Sequence, residues 1–161
     1  PPKAEKNFAK ELNKKEKRKA IRSAMKASVI KELVEERGHK APKNYPFVLD
    51  KDFEDIKTTK EVFKALKKLG FEEELKRAKK KKIRAGKGKS RGNKYKKRKG
   101  PLFVVSEKCP LSRSARNIPG IDVVEVEKLN ADLLAPGAVG GRLTLWTEPA
   151  IKKITDKGLF V

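Results

Sequence analysis

Cysteine, histidine and tryptophan occur once each in these 161 residues. The lone Cys109, in "EKCPLS", excludes an internal disulfide and points to a reducing compartment. It has no histidine or second cysteine beside it, so neither a thiolate metal site nor a cysteine nucleophile is expected. The lone His39 follows Gly38 without ligand-type neighbours and is expected on a surface turn. No metal and no cofactor is expected. No apolar run approaches the roughly 20 residues of a membrane span. The opening "PPKAEKNFAKELNKKEKRK" is polar throughout, unlike a signal peptide. Acid is scarce as well: 21 Asp and Glu stand against 43 Lys and Arg, a net charge of +22. An excess of this size needs polyanionic company, nucleic acid before an anionic membrane.

Hydrophobic residues make up only 37% of the chain, but they come in short concentrated runs, so a core can form. The length suits one domain. Residues 1–12 show no periodicity and read as an extended basic lead-in. Asn13 and Glu16 match a capping box, and Ile21, Met25, Val29 and Leu33 recur every four residues up to Gly38, predicting one long helix. Its other face carries Lys15, Arg18, Lys19, Arg22 and Lys26, either solvated or resting on phosphates. "YPFVLD" (45–50) reads as a buried strand, and Thr58 with Glu61 caps a helix that Gly70 closes. "EEELKRAKKKK" continues as helix. "PLFVVS" (101–106), "IDVVEV" (121–126) and "LTLWT" (143–147) are strands, with short helical pieces "SRSARN", "NADLLA" and "EPAIKKI" between and after them. Continuous apolar strands alternating with helices predict a three-layer α/β sandwich around a mainly parallel sheet of about four strands.

Residues 79–100, "KKKKIRAGKGKSRGNKYKKRKG", hold 13 basic residues and no acid. "GKGKS" suggests a phosphate-binding loop, but the first glycine of that motif would fall on Ile83. No strand is expected before it, because residues 79–82 are four lysines, and no amphipathic helix follows. The dinucleotide fingerprint fails too, with Arg91 in its third glycine position. A basic strap for a long phosphate backbone fits better: Gly86, Gly88, Gly92 and Gly100 let the chain approach phosphates closely, and the cations between them release counterions. Tyr95, among Lys94, Lys96 and Lys97 with Arg98 next, either stacks on an unpaired base or anchors the strap to the body. Asp50, Asp52, Glu54 and Asp55 cluster after the first strand, where an α/β enzyme places carboxylates; a solvated loop has the same appearance.

"IRAGKGKSRGNKYKKRKGPLFVVSE" and "ARNIPGIDVVEVEKLNADLLAPGAVGGRLTLWTEPAI" resemble the large-subunit ribosomal proteins of the universal L-four family, in its archaeal form, over nearly the whole chain. The resemblance implies an α/β body bound to 23S-type ribosomal RNA and no catalytic activity. It also implies neighbouring large-subunit proteins as partners and a cytoplasmic location in the ribosome. In the family a long loop helps line the peptide exit tunnel. That loop and the segment before it are expected to precede Pro1, so residues 1–12 would be the loop's returning end and residues 13–161 a single rRNA-binding domain. The motif positions that would touch RNA are Arg84, Lys87, Lys89, Arg91, Lys94 and Lys96, with Arg116, Asn117 and Arg142 as further contacts. Asn93 stands where the family usually has a cation, and Gly140 where it usually has proline, which implies a looser turn before Arg142. A nucleotide-dependent enzyme using the acidic cluster and a non-specific polyanion binder are the competing readings.

Overall fold

The computed structural model describes residues 3–160, so Pro1 and Pro2 of the expected lead-in lie outside the described residues. Residues 3–13 run without helix or strand and are exposed throughout. A four-stranded sheet follows from β1 (Val48–Leu49), β4 (Leu102–Val105), β5 (Asp122–Glu125) and β6 (Thr144–Thr147), while β2 (Lys81–Ile83) and β3 (Tyr95–Lys97) pair separately. The four strands lie in the order β1-β6-β4-β5, every pairing parallel.

Alternation along β4 sends neighbouring side chains to opposite faces. Phe103 and Val105 enter one core with Leu143 and Leu145; Leu102 and Val104 enter another with Val124 and Leu134. The first core is covered by α2 (Lys31–Glu36), α3 (Thr59–Lys68), α4 (Glu72–Lys79) and α5 (Leu111–Ser114), through Val34, Val62, Leu66, Phe71, Leu75 and Leu111. The second is covered by α1 (Lys14–Val29), α6 (Ala131–Leu134) and α7 (Glu148–Asp156), through Ile21, Ala24, Leu134 and Ala150. Two cores on two faces make the three layers that the strand composition predicts.

The first helix is the main departure. It stops at Val29 and restarts at Lys31, with Ile30 extended between them. The Ser28 hydroxyl bonds back to the Met25 carbonyl (2.7 Å), and the Tyr45 hydroxyl donates to the Ser28 carbonyl. A tertiary donor thus claims an acceptor that the helix would otherwise use. The break turns the stripe: Val29 and Leu33 are exposed, and Val34 is buried instead. Asn13 holds the cap position without a side-chain bond, whereas the Thr58 hydroxyl does accept from the Glu61 amide (3.3 Å).

One member of the acidic cluster is committed to structure. Glu54 is buried beyond the ends of β4 and β6, where it accepts from the Ser106 amide (3.0 Å), the Ser106 hydroxyl (2.8 Å) and the Thr147 hydroxyl (2.5 Å). The carboxyl ends of parallel strands are where such sheets bind ligands. Here the chain's own carboxylate braces them.

His39 is buried rather than on a surface turn, because it is drawn to Glu74. Its Nδ1 lies 2.7 Å from Glu74 Oε1, and the same carboxylate takes the Lys40 amide (2.9 Å) and Arg77 Nε (2.7 Å). Burial pushes His39 below its ordinary value of 6.5, aided by Arg77 and Arg37 against the pull of Glu74. Burial opposes ionisation of Glu74, but the bonds from Arg77, His39 and Lys40 outweigh it and hold that group below 4.5. Folded His39 therefore binds fewer protons than unfolded His39. Its contribution is complete above 6.5 and declines as pH falls below that value; that of Glu74 declines further below 4.5. The urea midpoint is expected to fall between pH 7.5 and 5, and His39→Gln to flatten that stretch of the curve. An equal slope in the variant would place the pH dependence elsewhere.

Candidate nucleic-acid interface

The basic strap is an antiparallel hairpin. Lys81 faces Lys97, Lys82 faces Lys96, and Ile83 faces Tyr95; the Arg84 amide extends the ladder to the Lys94 carbonyl (2.9 Å). A strand does therefore precede the glycines, contrary to the sequence expectation. It needs no apolar face because it pairs only with an equally exposed strand through backbone bonds. The tip turns through residues 87–90, with the Ser90 hydroxyl on the Lys87 carbonyl (2.7 Å), and no helix follows it. Gly86 and Gly92 flank this turn at φ 80° and 81°, a conformation costly to other residues.

Residues 79–99 are all exposed. Like charges directly opposite each other weaken a strand pair. Two successive Lys–Lys pairs make this hairpin costly in isolation and leave its cations in solvent. The Tyr95 ring is half exposed and belongs to neither core, so it does not anchor the strap; the Lys81 and Lys94 ammonium groups lie 5.9 and 5.6 Å from its centroid. Asn93, in place of a family cation, accepts from Arg84 Nε (3.1 Å) and steadies that guanidinium.

Grooves lie on either side of the hairpin base. One, of ≈ 880 Å³, is bounded by Arg37, Arg77, Lys80, Lys82 and Lys96, with Glu36 its one acid. The other, of ≈ 440 Å³, brings Arg116 and Asn117 from the turn after α5 to Lys79 on α4. Lys81, Lys97, Arg98 and Lys99 border both. Nine of the sequence-predicted contacts thus sit on one exposed hairpin: Arg84, Lys87, Lys89, Arg91, Lys94, Tyr95, Lys96, Lys97 and Arg98. Arg116 and Asn117 meet its base. Nothing in the sequence signals Arg37, which is remote from the strap and reaches its base only through the tertiary fold. Arg77, next to Lys76 and just before the strap, reads simply as part of a basic helix end.

Arg142 corrects the expectation that it contacts RNA. It is fully buried, and its guanidinium is spent on the Gly100 carbonyl (3.0 Å), the Leu133 carbonyl (2.8 Å) and Asp122 (2.5 Å). The turn before it is not loose: Arg37 bonds the Gly140 carbonyl (3.1 Å) and the Pro136 carbonyl (2.5 Å). Burial opposes ionisation of Asp122, yet Arg142 and then Lys99 hold its carboxyl below the usual range. Lys99 reaches it at 3.1 Å. Arg142 therefore fastens the end of the hairpin to the sheet. Arg142→Met should destabilise the fold by about 3 kcal/mol, because two buried carbonyls lose their donor. Urea unfolding checks this; unchanged stability together with weakened nucleic-acid binding would make Arg142 a contact after all.

Comparison with known proteins agrees with this geometry. The model of the ribosomal protein L4/L1 family matches residues 1–157. The large ribosomal subunit protein uL4 of Methanosphaera stadtmanae is 50% identical over 159 residues, covering 97% of this chain and 61% of the relative. That of Methanocaldococcus jannaschii is 48% identical over 159 residues, covering 98% and 63%. That of Nanoarchaeum equitans is 48% identical over 161 residues, covering 99% and 60%. The chain thus spans somewhat over half the length of these relatives. With a parallel α/β body, an exposed basic hairpin and a family match over almost its full length, the chain belongs to the ribosomal protein L4/L1 family.

Proposed function

We propose that the chain is a structural part of the large ribosomal subunit that binds 23S-type ribosomal RNA and catalyses no reaction. The carrying observation is the hairpin with lysine opposite lysine on consecutive rungs, all of it exposed. Such a feature costs stability when free and gains it when phosphates enter between the cations. Arg84, Lys87, Lys89, Arg91, Lys94 and Lys96 take backbone phosphates, and Lys97, Arg98, Arg116 and Asn117 hold the strand that passes the hairpin base. Tyr95 presents its ring to an unpaired base. The α1 face with Lys15, Lys19 and Arg22 adds a second contact surface.

The uL4 name of the relatives supports the large subunit as the setting, in the cytoplasm, with neighbouring ribosomal proteins as further partners. On this reading residues 1–12 belong to the returning end of an RNA-contacting loop of the kind that lines the exit tunnel. The enzyme reading loses the buried member of its acidic cluster, because the Glu54 carboxylate is occupied by Ser106 and Thr147.

Arg84, Lys89 and Arg91 changed together to Ala should weaken binding to 23S-type rRNA. The slope of log affinity against log salt should flatten by about 2 units. Filter binding between 50 and 200 mM salt measures both, and an unchanged slope would remove the hairpin from the contact surface.

A further inference from the structure

A groove of ≈ 450 Å³ adjoins the one that holds Arg116, and the two share Lys79, Asn117, Ile118 and Pro119. Its floor is apolar, made by Phe63 and Leu75 with Ile118 and Pro119. Its rim is cationic: Lys60, Lys67, Lys76 and Lys79. Glu72 is the one acid lining it, and that carboxylate is already met by Lys76 at 3.2 Å and Lys67 at 3.8 Å.

Phe63 is the unusual member. It sits on α3 beside the fully buried Val62, yet it is 40% exposed and belongs to neither core. The Lys67 ammonium stands 5.2 Å from its ring centroid, so one π-face looks outward to a cation rather than into packing. An aromatic face, an apolar floor and a ring of ammonium groups together suit a flat aromatic group carried on an anion.

We propose that this groove receives one unpaired nucleobase of the bound RNA, stacked on Phe63, with its flanking phosphates on Lys60, Lys67 and Lys79. The assignment rests on the RNA-binding reading above and adds a subsite to it. The base must be unpaired, since only an unstacked base offers its π-face to a side chain. A protein partner's apolar anchor would meet the same floor, but only Lys67 and Lys76 have an acid beside them, so Lys60 and Lys79 would be covered without one. Continuity with the groove at the hairpin base gives an RNA strand a direct path from Arg98 and Arg116, past Asn117, to Phe63.

The test is filter binding of archaeal 23S-type rRNA to the wild-type chain, Phe63→Leu, Phe63→Met and Phe63→Tyr between 50 and 200 mM salt. Thermal unfolding of each variant confirms that it folds. Stacking is worth about 1–3 kcal/mol per base, so Phe63→Leu and Phe63→Met should bind roughly 5- to 150-fold more weakly. Their salt slope should equal the wild type's, because no cation is lost, and Phe63→Tyr should retain affinity within about threefold. Wild-type affinity in the Leu and Met variants would overturn the subsite and leave the groove to a protein partner. A loss shared equally by the Tyr variant would overturn it as well. Should the wild-type chain fail to prefer this RNA over a homopolymer, the RNA reading itself falls, and the subsite with it.

Discussion

Mutual repulsion among the 13 cations of residues 79–100 is the constraint around which the structure is organised. A hairpin with lysines facing lysines has little reason to keep a fixed direction, so its base must be held by groups outside it. Arg77 Nη2 holds the Lys99 carbonyl (2.6 Å), Arg142 holds the Gly100 carbonyl, and Asp122 takes both Lys99 and Arg142. Gly100 and Gly120 complete the clamp. Their backbones bond at 2.8 Å, and a Cβ on Gly100 would lie 2.9 Å from the Gly120 carbonyl oxygen. The groups these anchors hold, Lys99 and Gly100, lie where the strap rejoins the sheet. The hairpin is thereby free along its length and fixed at its end.

This separates two classes of cation. Arg142, Arg77 and Arg37 are arginines turned inward, where a planar fork satisfies several carbonyl or carboxylate oxygens at once. The outward surface is mostly lysine, which keeps its hydration until a phosphate displaces it. The buried acids Glu54 and Glu74 share that inward, structural role. Glu74 ties His39 and Arg77 beneath the larger groove, and Glu54 braces the ends of β4 and β6. No acid lies within the hairpin itself. Glu54 and Glu74 thus serve as scaffold, while the hairpin offers basic charge alone.

Much of the fold was legible in the sequence because parallel strands buried on both faces leave continuous apolar runs. "LFVV" and "TLWT" became β4 and β6, and Thr58 with Gly70 bounded α3 as its caps imply. The break at Ile30 was not legible, since it depends on Tyr45, a residue distant in sequence that donates to Ser28. His39 was misread for a similar reason: nothing local signals that Glu74 will lie beside it. The candidate site was legible as far as charge density goes. The hairpin pairing was hidden because lysine-rich strands carry no hydrophobic pattern. Arg142 was misassigned since sequence shows a cation's presence but not which way it faces, and Phe63 was hidden because its helical spacing reads as core.

The central claim is that this surface recognises a particular ribosomal RNA rather than any polyanion. A binding competition at about 200 mM salt tests it most directly, where purely electrostatic binding is already weakened. Labelled large-subunit rRNA bound to the chain is challenged with unlabelled large-subunit rRNA, small-subunit rRNA and a homopolymer. The account predicts that only the large-subunit RNA displaces the label efficiently. Equal displacement by all three would contradict it, leaving a clamped basic hairpin that binds phosphate without regard to the RNA that carries it.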